Sequence, residues 1–111
     1  MAIQVLISQA GPLPLTAAFS SPGDLPMFVE VSGSVWTQTA NKMIGIQIEI
    51  DGAVVGTAKI FSNAAATHRA VVPLYVPVKL AQGQHKIVLS VSPGTTTVSD
   101  LNDLFSAVLH Y

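Results

Sequence analysis

Charge is the scarcest property of this sequence. Its 111 residues include five Lys or Arg and six Asp or Glu, whereas 50% are apolar. Globular domains carry charge at roughly a quarter of their positions, mostly on exposed faces. We therefore expect some apolar strand faces to be covered by other copies of the chain, so that the protein forms a homo-oligomer.

Other absences narrow the function classes. Cysteine is absent, which excludes disulfides, thiolate catalysis and cysteine-ligated zinc but assigns no cellular location. The net charge is −1 and the basic residues are scattered, so we expect neither nucleic acid nor an anionic membrane as a partner. The initial apolar run lacks a basic segment and stops at Ser8, so neither a signal peptide nor membrane insertion is predicted.

What the sequence does contain is a series of short β-strand patterns. Runs of Val, Ile and Thr alternate with turn residues, and no window keeps a helical period. The pattern predicts one all-β domain over residues 1–111, an antiparallel two-sheet β-sandwich with about eight to ten strands. The predicted strands cover residues 2–8, 15–20, 27–36, 43–50, 53–61, 68–76, 84–92, 95–99 and 104–110. Because Pro73 and Pro77 cannot donate ladder hydrogen bonds, strand 68–76 is expected at a sheet edge or with a bulge.

The clearest local element is a hairpin around Asp51-Gly52, a dipeptide that favours a two-residue type I′ turn. That turn would place Ile48 opposite Val55, although a β-bulge would shift the register. The predicted core face then carries Ile44, Ile46, Ile48, Ile50, Val55 and Phe61. The other face is expected to contact a second subunit through Met43, Val54, Ala58 and Ile60.

The last predicted strand, residues 104–110, is largely apolar on both faces. A sheet face exposed to water should carry outward polar residues at alternate positions. We therefore expect this strand to be covered on both sides, with a second subunit contacting Leu104, Val108 and His110.

The same region resembles the ending of the complement-type globular head, in the tumour necrosis factor-like jelly-roll superfamily. There an Asn-Asp element follows a glycine-bearing loop and precedes a strand of Phe-x-Gly-x-Leu-x-Tyr type. The matching residues are Asn102, Asp103, Phe105, Leu109 and Tyr111, and Ala107 stands where the family usually has Gly. The resemblance covers the last third of the chain, and it implies a jelly roll packed as a trimer, with its last strand near the subunit contacts.

Two groups of polar residues are candidate sites. Asp100, Asn102 and Asp103 offer oxygens of the kind that hold calcium, although capping of the turn before the last strand is the favoured interpretation. Trp36, with Gln38 and Asn41 in one predicted loop and Asn63 and Thr67 in another, is a candidate sugar platform, because sugar CH groups stack on indole rings while hydroxyls need fixed polar partners. The alternative is that Trp36 is a core residue.

No residue pattern predicts an enzyme. His68, His85 and His110 fall on separate predicted strands without metal-ligand spacing, so we expect them to be packed or interfacial. No Ser-His-Asp pattern, phosphate loop or convincing carboxylate pair is present.

The leading functional hypothesis is a non-enzymatic homotrimeric binding module that recognises carbohydrate. The main alternative is a trimerisation or capping domain of a fibre, phage tail or capsid-like assembly, without its own ligand. A monomeric immunoglobulin-like adhesive domain is a third hypothesis, and it would have seven strands.

Overall fold

The computed structural model describes residues 2–111, which form two antiparallel sheets packed as a jelly-roll sandwich. The strands are β1 (Ile3–Ala10), β2 (Leu15–Ser21), β3 (Met27–Thr37), β4 (Lys42–Ile50), β5 (Ala53–Ser62), β6 (Arg69–Ala70), β7 (Leu74–Val78), β8 (Gly83–Val91), β9 (Thr97–Val98) and β10 (Leu104–His110). The predicted fold class is confirmed. Within residues 2–111, the chain forms no helix that could cross a membrane.

The first sheet has the order β1-β10-β3, with β6 and β7 on the other side of β3 and β9 pairing with the end of β3. The second sheet has the order β2-β8-β4-β5. The core lies between the sheets, because alternate residues of each strand point inward. Its most buried apolar residues include Val29, Val31, Val35, Ile44, Ile46, Ile48, Ile87, Leu89 and Leu109.

The predicted hairpin is present, but its register changes at a β-bulge. Asp51 and Gly52 both have positive φ (52° and 82°), as a type I′ turn requires. The register shifts between Ile48 and Glu49, so Ile48 pairs with Gly56 and not with Val55. Beyond the bulge, β5 is displaced by one residue relative to β4. The side chains of β5 after Val55 therefore point to the opposite face from the one predicted.

That reversal corrects two predicted placements. Ala58 was expected at a subunit contact, but it pairs with Ile46 and is 1% exposed, in the core of its own chain. Phe61 was expected in the core, but it pairs with Met43 on the outer face and is 53% exposed. Ile60 also packs partly against the core, whereas Met43 and Val54 are exposed.

The predicted strand at residues 68–76 is divided in two. β6 and β7 are separate strands, and Pro73 lies in the interval between them. β7 pairs with β3 and forms an edge of the first sheet, with Pro77 opposite Phe28. The edge position fits the prediction from proline, whose missing N–H is tolerated there.

Along its strands, the outer face of the first sheet passes from an apolar surface at one end, through a row of serines, to a group of loops at the other end. At the end where β3 begins, neighbouring side chains form a surface that we call the apolar block. It consists of Ile3, Val5, Phe28, Tyr75, Pro77, Val108 and His110, and it surrounds one acid, Glu30, which lies between Val108 and Tyr75. A row of serines follows, Ser8, Ser106 and Ser32. Beyond that row β3 ends and β4 begins, and the loops there form what we call the loop end, residues 38–41, 63–68 and 92–103.

The outer face of the second sheet carries more polar than apolar side chains. The polar ones are Thr16, Ser20, Gln47, Glu49, Thr57, Lys59, Gln84, Lys86 and Ser90, and the exposed large apolar ones are Met43, Val54 and Phe61. Charge is therefore concentrated on one of the two outer faces, and the other is nearly uncharged.

Candidate functional site

Hydrogen bonds hold the three segments of the loop end together. The backbone N–H of Ala66 donates to the carbonyl of Thr37 at 2.7 Å. The hydroxyl of the buried Thr37 is 2.7 Å from that of Thr96. These contacts bring the predicted sugar-binding residues to one end of the sandwich, where Gln38, Asn41, Asn63 and Thr67 are exposed and Trp36 is half-buried.

Trp36 lies on the outer side of β3, and its ring packs against His68. The ring centroids are 5.8 Å apart with planes tilted by 43°. The indole N–H is buried, and no hydrogen-bond partner lies near it within residues 2–111. Trp36 is thus neither a core residue nor a fully exposed platform, since part of its ring is packed and part is accessible.

Asp103 is the organising residue beneath this surface. Its carboxylate is fully buried and forms hydrogen bonds with Ser34 Oγ at 2.7 Å, His68 Nδ1 at 2.6 Å and the Asp100 backbone N–H at 2.8 Å. The hydrogen bond to Asp103 raises the pKa of His68 above its ordinary value, which favours the charged imidazolium. The buried carboxylate therefore joins β3 to two segments of the loop end.

The same contacts account for the predicted calcium residues. Asp100 accepts a hydrogen bond from the Asn102 backbone N–H at 2.8 Å, so both aspartates cap the turn before β10. His68, Asp100 and Asp103 do offer potential ligand atoms within 4.8 Å of one another. Calcium, however, takes roughly six to eight oxygen ligands, and Asp103 already carries three hydrogen bonds. These residues therefore fit the capping role better, and calcium binding stays a prediction.

Ser34, His68 and Asp103 are in contact but are not arranged as a catalytic triad. Ser34 Oγ and His68 Nδ1 both bond to the same oxygen of Asp103. A triad requires the histidine to lie between the serine and the carboxylate, so that it can accept the serine proton. Here the carboxylate lies between them, and His68 does not activate Ser34.

The apolar block contains a polar contact that the sequence patterns did not reveal. Glu30 accepts a hydrogen bond from the Tyr75 hydroxyl at 3.2 Å and contacts His110 Nε2 at 2.9 Å. His110 stacks on Phe28 at 4.4 Å with an interplanar angle of 7°. The negative charge of Glu30 raises the pKa of Tyr75. Because its partners are 45 and 80 residues away, these contacts become apparent only once the strand order is known.

Of the residues predicted to contact a second subunit, Val108 and His110 belong to the apolar block. Both are half-buried, and Leu104 is exposed on the same sheet face nearer the loop end. Their contact with a partner stays a prediction. The exposed Ile3 and Val5 extend the same surface, although no residue of the first strand is among the predicted subunit contacts.

His85 is far from the loop end and has a structural role. Its Nδ1 contacts Asp51 at 2.5 Å, and its Nε2 lies 2.7 Å from the Ala81 carbonyl. Because both neighbours are acceptors, the charged imidazolium satisfies both, and the hydrogen bond to Asp51 raises the pKa of His85. The pair thus fixes the β4–β5 turn to β8.

Comparison with known proteins gives structural neighbours but no sequence family. No protein-family model matches the chain, and no curated protein sequence matches it. The C-terminal domain of EclA, a sugar-binding protein, is similar with a TM-score of 0.52 at 12% identity, covering 93% of this chain and 69% of that one. The CBM36-1 domain of a multidomain xylanase from the hindgut metagenome of Trinervitermes trinervoides has a TM-score of 0.50 at 10% identity, with coverages of 97% and 94%.

A third similar structure is the insecticidal delta-endotoxin Cry8Ea1 from Bacillus thuringiensis. Its TM-score is 0.52 at 10% identity, and the match covers 85% of this chain but 17% of the toxin. At these identities the likenesses show a shared jelly-roll fold. None of the three is a complement-type globular head, so that more specific resemblance stays a prediction.

Proposed function

We propose that this chain is a non-catalytic carbohydrate-binding module that binds its ligand at the loop end and self-associates through the apolar block. The observation that carries the first part is the grouping of the predicted sugar-binding residues. Two segments distant in sequence, 36–41 and 63–67, meet at one end of the sandwich through the bond between Ala66 and Thr37. The sugar-binding names of two structures with this fold support the proposal.

The chemistry of the loop end suits a sugar. The accessible part of the Trp36 ring can stack against sugar CH groups. The exposed amides of Gln38 and Asn41 offer donors and acceptors for hydroxyls. Asn41 has a positive φ of 61°, a conformation that fixes the loop carrying it.

The apolar block supports the second part of the proposal. Its exposed members include Ile3, Val5 and Tyr75, and Glu30, the acid beside them, is already engaged by His110. Contiguous exposed apolar residues bordered by polar ones mark an interaction surface more often than isolated apolar residues do. A standard interface buries about 800 Å² per partner. The C-terminal resemblance favours a trimer as the assembled state.

Glycan binding would test the ligand site directly. A glycan array and titration calorimetry would compare the unaltered chain with Gln38→Ala/Asn41→Gly, which removes two amides while accommodating the positive φ. Loss of hydrogen bonds to a sugar should weaken binding about tenfold. Gln84→Ala is the matched control, because Gln84 is an exposed amide on the polar sheet face near the opposite end. Equal binding by all three proteins would contradict the assignment of the site.

A second candidate function is structural. In that case the chain is a trimerisation or capping domain of a fibre, tail or capsid-like assembly, and the exposed apolar block is the observation that favours it. A heat-resistant oligomer that binds no glycan on the array would support this function over the first. A monomer by light scattering at micromolar concentration would count against both assembled states.

A further inference from the structure

We infer that the ligand of the loop end is an anionic glycan whose acidic group, a carboxylate or a sulfate, is bound by the guanidinium of Arg69. This inference rests on the proposed sugar-binding function, and it names the chemical class of the ligand.

Arg69 enters the loop end from β6, on the inner side of the sandwich. It pairs with Val35, whose side chain is in the core. The Arg69 Nε is buried without a hydrogen-bond partner in residues 2–111, and Nη2 donates to the side-chain oxygen of Asn63 at 2.8 Å. The guanidinium is thus held next to one of the predicted sugar-binding residues.

The cation has no anionic partner of its own. No carboxylate of the described residues lies within 4.0 Å of Arg69, and the four ion-pair contacts there all involve histidine. Asp100 and Asp103, the acids of the loop end, both contact His68. The charge of Arg69 is therefore uncompensated by any residue of the described range 2–111.

A second cation belongs to the same end. Lys42 begins β4 and pairs with Ser62, the residue before Asn63. It is exposed and, within residues 2–111, forms no ion pair. Arg69 and Lys42 are thus two cations of the loop end without an ion-pair partner in residues 2–111, in a chain whose net charge is −1.

The form of the arginine side chain points to the ligand chemistry. A guanidinium carries five N–H donors in a planar fork that matches a carboxylate or a sulfate oxygen pair, and one neutral amide leaves most of them unused. A partly buried cation is costly without a partner. An acidic sugar would supply that partner, while Trp36 and Gln38 contact the sugar ring and its hydroxyls.

Calorimetry with defined oligosaccharides provides the test. The probes are a galacturonic acid oligomer, its methyl ester, a sulfated heparin oligosaccharide and a neutral xylo-oligosaccharide. Methylation removes the charge and keeps the sugar, so the ester should bind about tenfold more weakly than the acid. Comparing the uronate with the sulfated probe identifies which acidic group is preferred, and this arm needs no protein variant.

Variants provide the second arm. Arg69→Gln should remove the preference for the acid, whereas Arg69→Lys should keep the charge but restore only part of it, because the planar fork is lost. Lys86→Gln is the matched charge control, since Lys86 is exposed near the opposite end of the sandwich. A role limited to holding the 63–68 loop would lower stability without changing the ratio of acid to ester affinity.

The outcomes separate this inference from the proposed function. Equal affinity for acid and ester, or an acid preference unchanged in Arg69→Gln, would overturn the inference while leaving sugar binding intact. Absence of binding to any of the glycans, neutral or acidic, would overturn both. An acid preference that both Arg69→Gln and Lys86→Gln reduce equally would mean nonspecific attraction and would also overturn it.

Discussion

The two outer faces of the sandwich belong to sheets of similar construction, yet they differ in charge. On the second sheet the outer face carries three charged residues, Glu49, Lys59 and Lys86, together with polar side chains and the exposed Met43, Val54 and Phe61. On the first sheet the corresponding positions are aliphatic and aromatic, and Glu30 is engaged by Tyr75 and His110. The shortage of charge in the composition is thus more pronounced on the first face. A polar face suits solvent, whereas a contiguous apolar patch often marks an interaction surface.

The sharpest way to break this comparison is to place the same charge on both faces. Val108 and Val88 are half-buried valines on the outer sides of inner strands, between Val5 and Glu30 and between Thr16 and Glu49 respectively. We expect Val108→Lys to weaken self-association about a hundredfold, because a charge at the centre of an interface removes its most important contacts. Val88→Lys should leave association unchanged.

Light scattering coupled to size-exclusion chromatography, over a range of concentrations, measures this effect. Chemical unfolding of both variants verifies that each folds. If both variants associate like the unaltered chain, the apolar block is not the contact surface. If both variants dissociate, the two faces do not differ in their contribution to self-association.

A smaller effect is expected at the other end of the first sheet. Asp103→Asn removes the charge of the buried carboxylate that joins Ser34 and His68. It should lower the free energy of unfolding by about 2 kcal/mol, because buried donors lose a charged acceptor. Urea unfolding measures the loss. Oligomer size should not change, since Asp103 lies outside the apolar block, and a change in size would show that the two halves of this face are coupled.

The smallest effect concerns the histidine link on the second sheet. The raised pKa of His85 means that its contribution to stability is complete below the ordinary value of 6.5 and is lost as pH rises through the raised value. We therefore expect the melting temperature to fall over that interval more in the unaltered chain than in His85→Gln. Asp51→Asn should remove the same pH dependence, while His68 contributes equally in every background. A parallel decline in all three proteins would contradict the link.

The strands and the Asp51-Gly52 turn were predictable because their signals are local. Alternation along residues 27–36 and the Asp51-Gly52 dipeptide depend on neighbours in sequence, and both match the structure. The bulge at Ile48 and Glu49 leaves no such signal. Since one extra residue reverses the facing of a strand, the same pattern predicted Ala58 outside and Phe61 inside.

The candidate site was predictable only in part. Turn-forming and amide residues indicated the loops, but not that Ala66 would bond to Thr37. Each histidine contacts a carboxylate 34, 35 or 80 residues away, which the sequence pattern did not predict. Such pairs depend on which strands become neighbours, and strand order follows from the packing of the whole chain.

The separation of the apolar block from the loop end has a consequence for avidity. Subunits joined at one end of each sandwich would present their ligand sites together at the far ends, at fixed spacing. On a polymer with repeating units, the second binding event then occurs at a high effective concentration. A site that holds a single short oligosaccharide weakly would, in the assembled protein, retain a long chain or a densely decorated surface.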